Sequence, residues 1–286
     1  STHQGWQEVD YLANQTNLFW DAELAGLKHR FVFSAEYTQH DVVNGVYNVN
    51  NGPTNCVVGG RRGASDSHCI VDASGSYIDN IGSLMNRQIS KGDQDSDYSI
   101  ETVSLAVMDT IDFNEHWSTF VGIRLDSFDY DNTVNNRGTL AEYSYSDDLW
   151  NGHAGVVYNV TEKGNVYLTY STSANINGGE SDVGGNCGYG GLCGDDSVIG
   201  QSKPEKTENI ELGTKWELFN DKLLATAAAF QITKDDVMEG ADYSTVGTLN
   251  TGKNRVEGVE ISLAGNLTDK LSSLFGAAVM NAEILE

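Results

Sequence analysis

Apolar and polar residues alternate through the segment from Asn209 to Leu218, with Thr214 as the one polar residue on the apolar side. Ile210, Leu212, Trp216 and Leu218 occupy one set of alternate positions, and Asn209, Glu211, Gly213, Lys215 and Glu217 occupy the other. Side chains of a strand point to opposite faces with period two, so this spacing predicts a strand with one apolar and one polar side. The same pattern recurs where Val121, Ile123 and Leu125 alternate with Gly122, Arg124 and Asp126, and where Val166, Leu168 and Tyr170 alternate with Tyr167, Thr169 and Ser171. It recurs again where Val259, Ile261 and Leu263 alternate with Glu260, Ser262 and Ala264.

Read along residues 1–286, the pattern predicts about ten strands in five hairpins of one domain. The hairpins cover about Asn17–Thr38, Tyr98–Asp129, Asp148–Ser173, Lys206–Asp235 and Asn254–Ile284. They turn at Ala25-Gly26-Leu27, Asn114-Glu115, Glu162-Lys163-Gly164, Asn220-Asp221 and Thr268-Asp269, residues that accept tight backbone angles. The links between hairpins, about 39–97, 130–147, 174–205 and 236–253, are long, polar and glycine-rich. Short and long connections that alternate in this way describe an all-β, antiparallel transmembrane β-barrel, with short periplasmic turns and long extracellular loops. Arg124, Asp126 and Glu260 would then face the lumen, because a midplane Arg on the lipid side costs about 2–4 kcal/mol and acids somewhat less. Trp117, Trp150, Trp216, Tyr158 and Tyr170 fall near strand ends, where interface aromatics sit.

Composition fits that expectation. The chain has 286 residues, a formal charge of -24 and 39% hydrophobic residues. No run approaches the roughly 18 apolar residues of a membrane helix, whereas a barrel strand exposes only alternate residues to lipid. The acidic balance argues against a nucleic-acid partner, which needs clustered Lys and Arg. The four cysteines fall in two local pairs, and proximity favours Cys56–Cys69 and Cys187–Cys193 among the possible pairings. Both pairs lie in long links, which implies an oxidising compartment. Their spacing lacks a C-x-x-C unit and an accompanying His pattern, so zinc is not expected. No signal peptide opens the chain, which is expected to start inside a domain or to have been processed.

The ordered series of strands resembles the barrel of TonB-dependent siderophore receptors. KHRFVFSAEY (Lys28 to Tyr37), VGIRLDSF (Val121 to Phe128), GNVYLTYSTS (Gly164 to Ser173), PEKTENIELGTKWELF from Pro204 and NTGKNRVEGVEISLAGNLTDKLS from Asn250 follow one another as successive barrel strands of that family do. In style they are closest to receptors for catecholate-type ferric siderophores. The resemblance implies the middle of a barrel of about 22 strands in the outer membrane of a Gram-negative bacterium. A plug domain and a TonB box, through which the TonB complex acts, are expected outside this chain. Alone, the sheet would leave two open edges, which hydrocarbon does not tolerate. Outer-membrane lipid and lipopolysaccharide are the expected surroundings, and the ferric siderophore is cargo rather than a cofactor. Two other functions compete with this one: a TonB-dependent receptor for another nutrient, such as a cobalamin or an oligosaccharide, and a plugless pore or adhesin.

Candidate chemistry is sparse. The six His residues show no H-x-H or H-E-x-x-H spacing, so no enzyme is expected. Gly188-Tyr189-Gly190-Gly191 neither follows a strand nor opens a helix, which removes it as a phosphate loop. Asp93, Asp95 and Asp97 are a candidate calcium set that lacks the Gly and distal Glu of an EF-hand; in an extended chain they would share one face and repel. Arg61 and Arg62, with His68 nearby, are the cations of an acidic chain that would suit the anionic ferric siderophore implied by the resemblance. Tyr143, Tyr145 and Tyr189 are candidate ligand contacts from the links. Gly213 is expected to face the lumen and leave room for a plug.

Overall fold

The computed structural model describes residues 5–50, 74, 76, 77, 88–136, 139–175, 204–239, 249–268 and 270–285. Among them are ten strands and no helix: β1 (Gly5–Leu24), β2 (Leu27–Asn50), β3 (Gln88–Asp112), β4 (Trp117–Asn136), β5 (Thr139–Thr161), β6 (Gly164–Asn175), β7 (Glu205–Leu218), β8 (Leu223–Glu239), β9 (Leu249–Thr268) and β10 (Leu271–Leu285). They form one antiparallel sheet in chain order, with β1 and β10 at its edges.

The turns at one end are tight. Ala25 (φ 52°) and Gly26 (φ 79°) reverse β1 into β2, and Asn220 (φ 58°) and Asp221 (φ 65°) reverse β7 into β8. Both pairs adopt left-handed backbone, which Gly, Asn and Asp tolerate best. Between β3 and β4, Asn114 Oδ1 accepts from the backbone N–H groups of His116 (2.9 Å) and Trp117 (3.0 Å), so the side chain itself builds the turn.

Register aligns the apolar residues in rows across the sheet. Leu18 opposes Phe33, Phe33 opposes Val107 and Val107 opposes Ile123. Val156 opposes Leu168, which opposes Leu212, followed by Ala229, Val259 and Val279. Leu212, Val259 and Val279 are 54%, 55% and 74% exposed, so the sheet presents a wide, uncovered apolar band. We call this the Leu212 face, and the opposite one the Glu211 face. Trp20, Trp117, Tyr158 and Trp216 border the band towards the tight turns, and Trp150 and Tyr170 border it at the other end.

The strands run well past the ends that the hydrophobic pattern marks. His40 pairs with Ile100, Asn50 with Gln88, Tyr130 with Tyr145 and Asn136 with Thr139. Residues 130–136 and 139–147 of the expected link are therefore paired strand. The physical reason is that the backbone ladder persists where the hydrophobic signal stops.

What changes there is the phase of the alternation. On β4 the apolar positions are Val121, Ile123 and Leu125 on the Leu212 face, then Phe128, Tyr130 and Val134 on the Glu211 face. Register with β5 is unbroken between them. On β3 the stripe passes from Val107, Leu105 and Val103 to Ile100 and Tyr98, and on β5 from Trp150 to Leu149 and Tyr145. Beyond the switch the Leu212 face carries Asp41, Glu101, Asp129, Asp131, Glu142 and Asp148. An outward surface that turns from apolar to acidic within a few residues marks a change of solvent, from hydrocarbon to water.

Candidate functional site

In mid-sheet the Glu211 face is polar and internally bonded. Arg124 Nε donates to Asp126 Oδ1 at 2.7 Å, and Arg124 Nη2 lies 3.5 Å from Glu36 Oε1. Ser104 stands directly between Glu36 and Asp126 in the ladder, is buried, and donates to Asp126 Oδ1 at 2.6 Å. Arg124, Asp126, Asn151, His153 and Ser171 share the wall of a cavity of ≈ 350 Å³. Between β6 and β7, the Tyr167 hydroxyl donates to Glu211 Oε1 at 2.7 Å, and Lys215 Nζ lies 5.2 Å from the Tyr167 ring centroid. Gly213 serves that ring. A Cβ at Gly213 would collide with Tyr167 side-chain atoms, so the space expected for a plug is filled by a neighbour in the same sheet. Gly155 beneath Phe120 and Gly164 beneath Trp216 repeat the arrangement.

Beyond the phase switch the same face becomes an aromatic cluster. Val42, Tyr98, Phe128, Tyr130 and Leu149 form it, with Ile100 and Tyr145 packed against it. Phe128 and Tyr130 are each 1% exposed. The Tyr98 and Tyr130 rings stack at 6.0 Å, His40 meets Tyr98 edge-on at 5.9 Å, and Phe128 meets Tyr145 edge-on at 5.2 Å. The Tyr145 hydroxyl is covered and has no hydrogen-bond partner. Burial, and then the charge of Asp147, push it above the ordinary tyrosine range. This cluster stiffens the end of the sheet away from the tight turns. At that end Lys234 pairs with Glu205, Lys253 with Asp235 at 2.8 Å and Arg255 with Glu283 at 2.7 Å, so these cations are already matched to acids.

Of the residues singled out from sequence, Tyr145 lies in the aromatic cluster. Tyr143 opposes Asn132 one step further along β5. Asp93, Asp95 and Asp97 all lie on β3, but register shifts between Asn44 and Gly45 and between Gly45 and Tyr47 leave Asp93 and Asp95 without opposite partners. The even spacing on one face is thereby lost, and no group of three or more His, Cys, Asp or Glu among the described residues is arranged to hold a metal ion. Arg61, Arg62, His68, Tyr189, Cys56, Cys69, Cys187 and Cys193 lie outside the described residues. Sequence reasoning passed over His40, Tyr98, Phe128 and Tyr130. Their signal was present in Leu125-Asp126-Ser127-Phe128, where two consecutive polar residues invert the phase.

Residues 1–282 match the family model described as TonB dependent receptor-like, beta-barrel. The chain is 29% identical over 268 residues to the probable TonB-dependent siderophore receptor PiuA of Acinetobacter baumannii, covering 90% of this chain and 34% of that protein. It is 31% identical over 204 residues to the catecholate siderophore receptor Fiu of Escherichia coli, covering 64% of this chain and 26% of that protein. The crystal structure of the siderophore receptor PiuA from Acinetobacter baumannii matches with a TM-score of 0.75 at 23% identity, over 98% of this chain and 39% of that one. The closed form of the ferric-catecholate import receptor Fiu from Escherichia coli matches with a TM-score of 0.74 at 25% identity, over 98% of this chain and 38% of that one. The chain thus spans about a quarter to a third of the length of the curated relatives it matches.

Proposed function

The chain belongs to the TonB-dependent receptor β-barrel family of the outer membrane, and from that membership we propose that it forms part of the wall of a receptor that takes up a ferric siderophore. It acts as a transporter wall, not as an enzyme. The Leu212 face meets lipid and the Glu211 face lines the lumen. The carrying observation is the similarity to the catecholate receptor Fiu, 31% identical over 204 residues. It is supported by a polar lumen side whose described side chains bond to one another: Arg124 and Ser104 to Asp126, Arg124 to Glu36, and Tyr167 to Glu211.

In this reading the tight turns lie at the periplasm and the long links outside the cell. The aromatic cluster around Tyr98 and Tyr130 braces the outer mouth of the barrel. Arg61, Arg62 and His68, with Tyr143, Tyr145 and Tyr189, are the ligand-side candidates, and Cys56–Cys69 and Cys187–Cys193 tie down the links that carry Arg61, Arg62, His68 and Tyr189. The partners are the ferric siderophore, the TonB complex through a region outside this chain, and lipopolysaccharide around the outer rim.

The test is uptake. The full-length receptor is expressed in a bacterium stripped of its own catecholate receptors, grown without available iron, and given radiolabelled ferric catecholate. Accumulation that disappears when TonB is deleted is the expected result. No accumulation over the receptorless strain would overturn the reading.

A further inference from the structure

The aromatic cluster ends in two rings that it holds but does not bury. Tyr11 on β1 and His40 on β2 are directly opposite each other on the Glu211 face. Their ring centroids lie 5.8 Å apart at 81°, and His40 meets Tyr98 at 5.9 Å and 88°. Tyr98 in turn stacks on Tyr130. Tyr98 and Tyr130 are buried, His40 is half-buried and Tyr11 is 64% exposed. The run of rings therefore leads from a closed core to an open surface. Two edge-on contacts fix the orientation of the imidazole. Among the described residues, neither the His40 ring nitrogens nor the Tyr11 hydroxyl have a hydrogen-bond partner. Covered polar side chains are mostly bonded within the protein, so an oriented imidazole without a bond is open to water or to a ligand.

The surroundings restrict what that ligand can be. The row of Tyr11 and the rows just before and after it, followed from β1 to β5, hold one charged side chain, Asp147. Aromatic, aliphatic, hydroxyl and amide groups occupy the other positions. A carboxylate or phosphate finds no cation in these rows and is repelled by the acid. Oriented rings with a free hydrogen-bonding edge instead complement a planar aromatic group that bears hydroxyl or carbonyl oxygens. A strand added at the free edge of β1 pairs in the plane of the sheet, which leaves the lumen side of Tyr11 open.

We propose that Tyr11 and His40 contact an aryl ring of the ferric siderophore, with Tyr11 packed on the ring and a His40 N–H donating to one of its oxygens. Tyr98 and Tyr130 act behind them as positioning residues that hold the imidazole. The pair thereby selects cargo that carries aryl groups. The inference rests on the reading of the chain as wall of a ferric-siderophore receptor with its long links outside the cell, and it deepens that reading.

The experiment uses the full-length receptor in detergent, dialysed to equilibrium against the radiolabelled ferric complex of catechol. Tyr11→Leu and His40→Gln are each expected to weaken binding by about three- to tenfold, the range of one aromatic contact or one hydrogen bond. Tyr11→Phe keeps the ring and is expected to bind like the wild type. Unchanged affinity in both Tyr11→Leu and His40→Gln would overturn the proposal, as would a loss in Tyr11→Phe equal to that in Tyr11→Leu. Heat-shifted gel migration shows which variants are folded barrels, and His40→Gln decides alone should Tyr11→Leu not fold. Wild-type binding with unchanged variants defeats only the Tyr11–His40 contact. No binding by the wild type, together with no uptake in cells, defeats the siderophore reading and this contact with it.

Discussion

The Tyr167 ring lies over Gly213 on the neighbouring strand, and the space it occupies is the space a Cβ on residue 213 would need. Its hydroxyl reaches past the glycine to Glu211 at 2.7 Å. Gly213→Ala therefore expels the ring and breaks that bond, at an expected cost of about 1–3 kcal/mol. Urea unfolding of the full-length receptor in vesicles measures it. In a Tyr167→Ala background the same substitution is expected to cost much less, and an undiminished cost would show that the two residues are not coupled.

Arg124 separates two acids. Replacing it by Gln removes the donor to Asp126 and the neighbour of Glu36, and leaves both carboxylates on the polar wall without their cation. With the guanidinium partly exposed, the expected loss is about 1–2 kcal/mol, in the range of a charged hydrogen bond. Ser104→Ala, which leaves the Arg124–Asp126 contact in place, is expected to lose less. A larger loss for Ser104→Ala would contradict this ordering.

Depth in the membrane is testable on one face. Leu212→Arg is expected to destabilise by about 2–4 kcal/mol, because the charge enters hydrocarbon. Thr133→Arg, on the same face but beyond the phase switch, is expected to change stability by no more than about 0.5 kcal/mol. Equal penalties at the two sites would place Thr133 inside the lipid band.

Tyr145 gives a pH dependence. Burial, then Asp147, hold its hydroxyl above the ordinary value of 10.0. The folded state thus keeps a proton that the unfolded chain releases. The stability linked to this group is complete below the unfolded tyrosine pKa of about 10 and is lost as pH climbs through the folded value. Tyr145→Phe cannot ionise and also removes a covered hydroxyl without a partner. Stability at neutral pH is expected to be unchanged or up to ~1 kcal/mol higher, with a shallower loss above about pH 10. Unfolding midpoints on both sides of that pH decide. A steeper alkaline loss in the variant would reverse the sign argued here.

The alternation around Ile210, Leu212, Val121, Ile123, Val259 and Ile261 determined by itself that this chain makes strands with one apolar face, and the alternation of short and long connections, not the period, pointed to an antiparallel barrel with that face in lipid. It also placed Trp117, Tyr158 and Trp216 at an interface. The extent of the strands was not legible in the same way. Past Leu125 the outward side meets water, so polar residues occupy it, and a reading based on outward apolar residues stops while the hydrogen-bond ladder continues to Asn136. Only register shows that Phe128 and Tyr130 then join Tyr98 and Val42 in a core on the other face. Only register brings His29 against Asp109, 80 residues apart in sequence, and puts Tyr167 over Gly213. Local spacing is set by the pleat of a single strand and can be read from one segment. Cross-strand neighbours are set by how several ladders align, which no single segment contains.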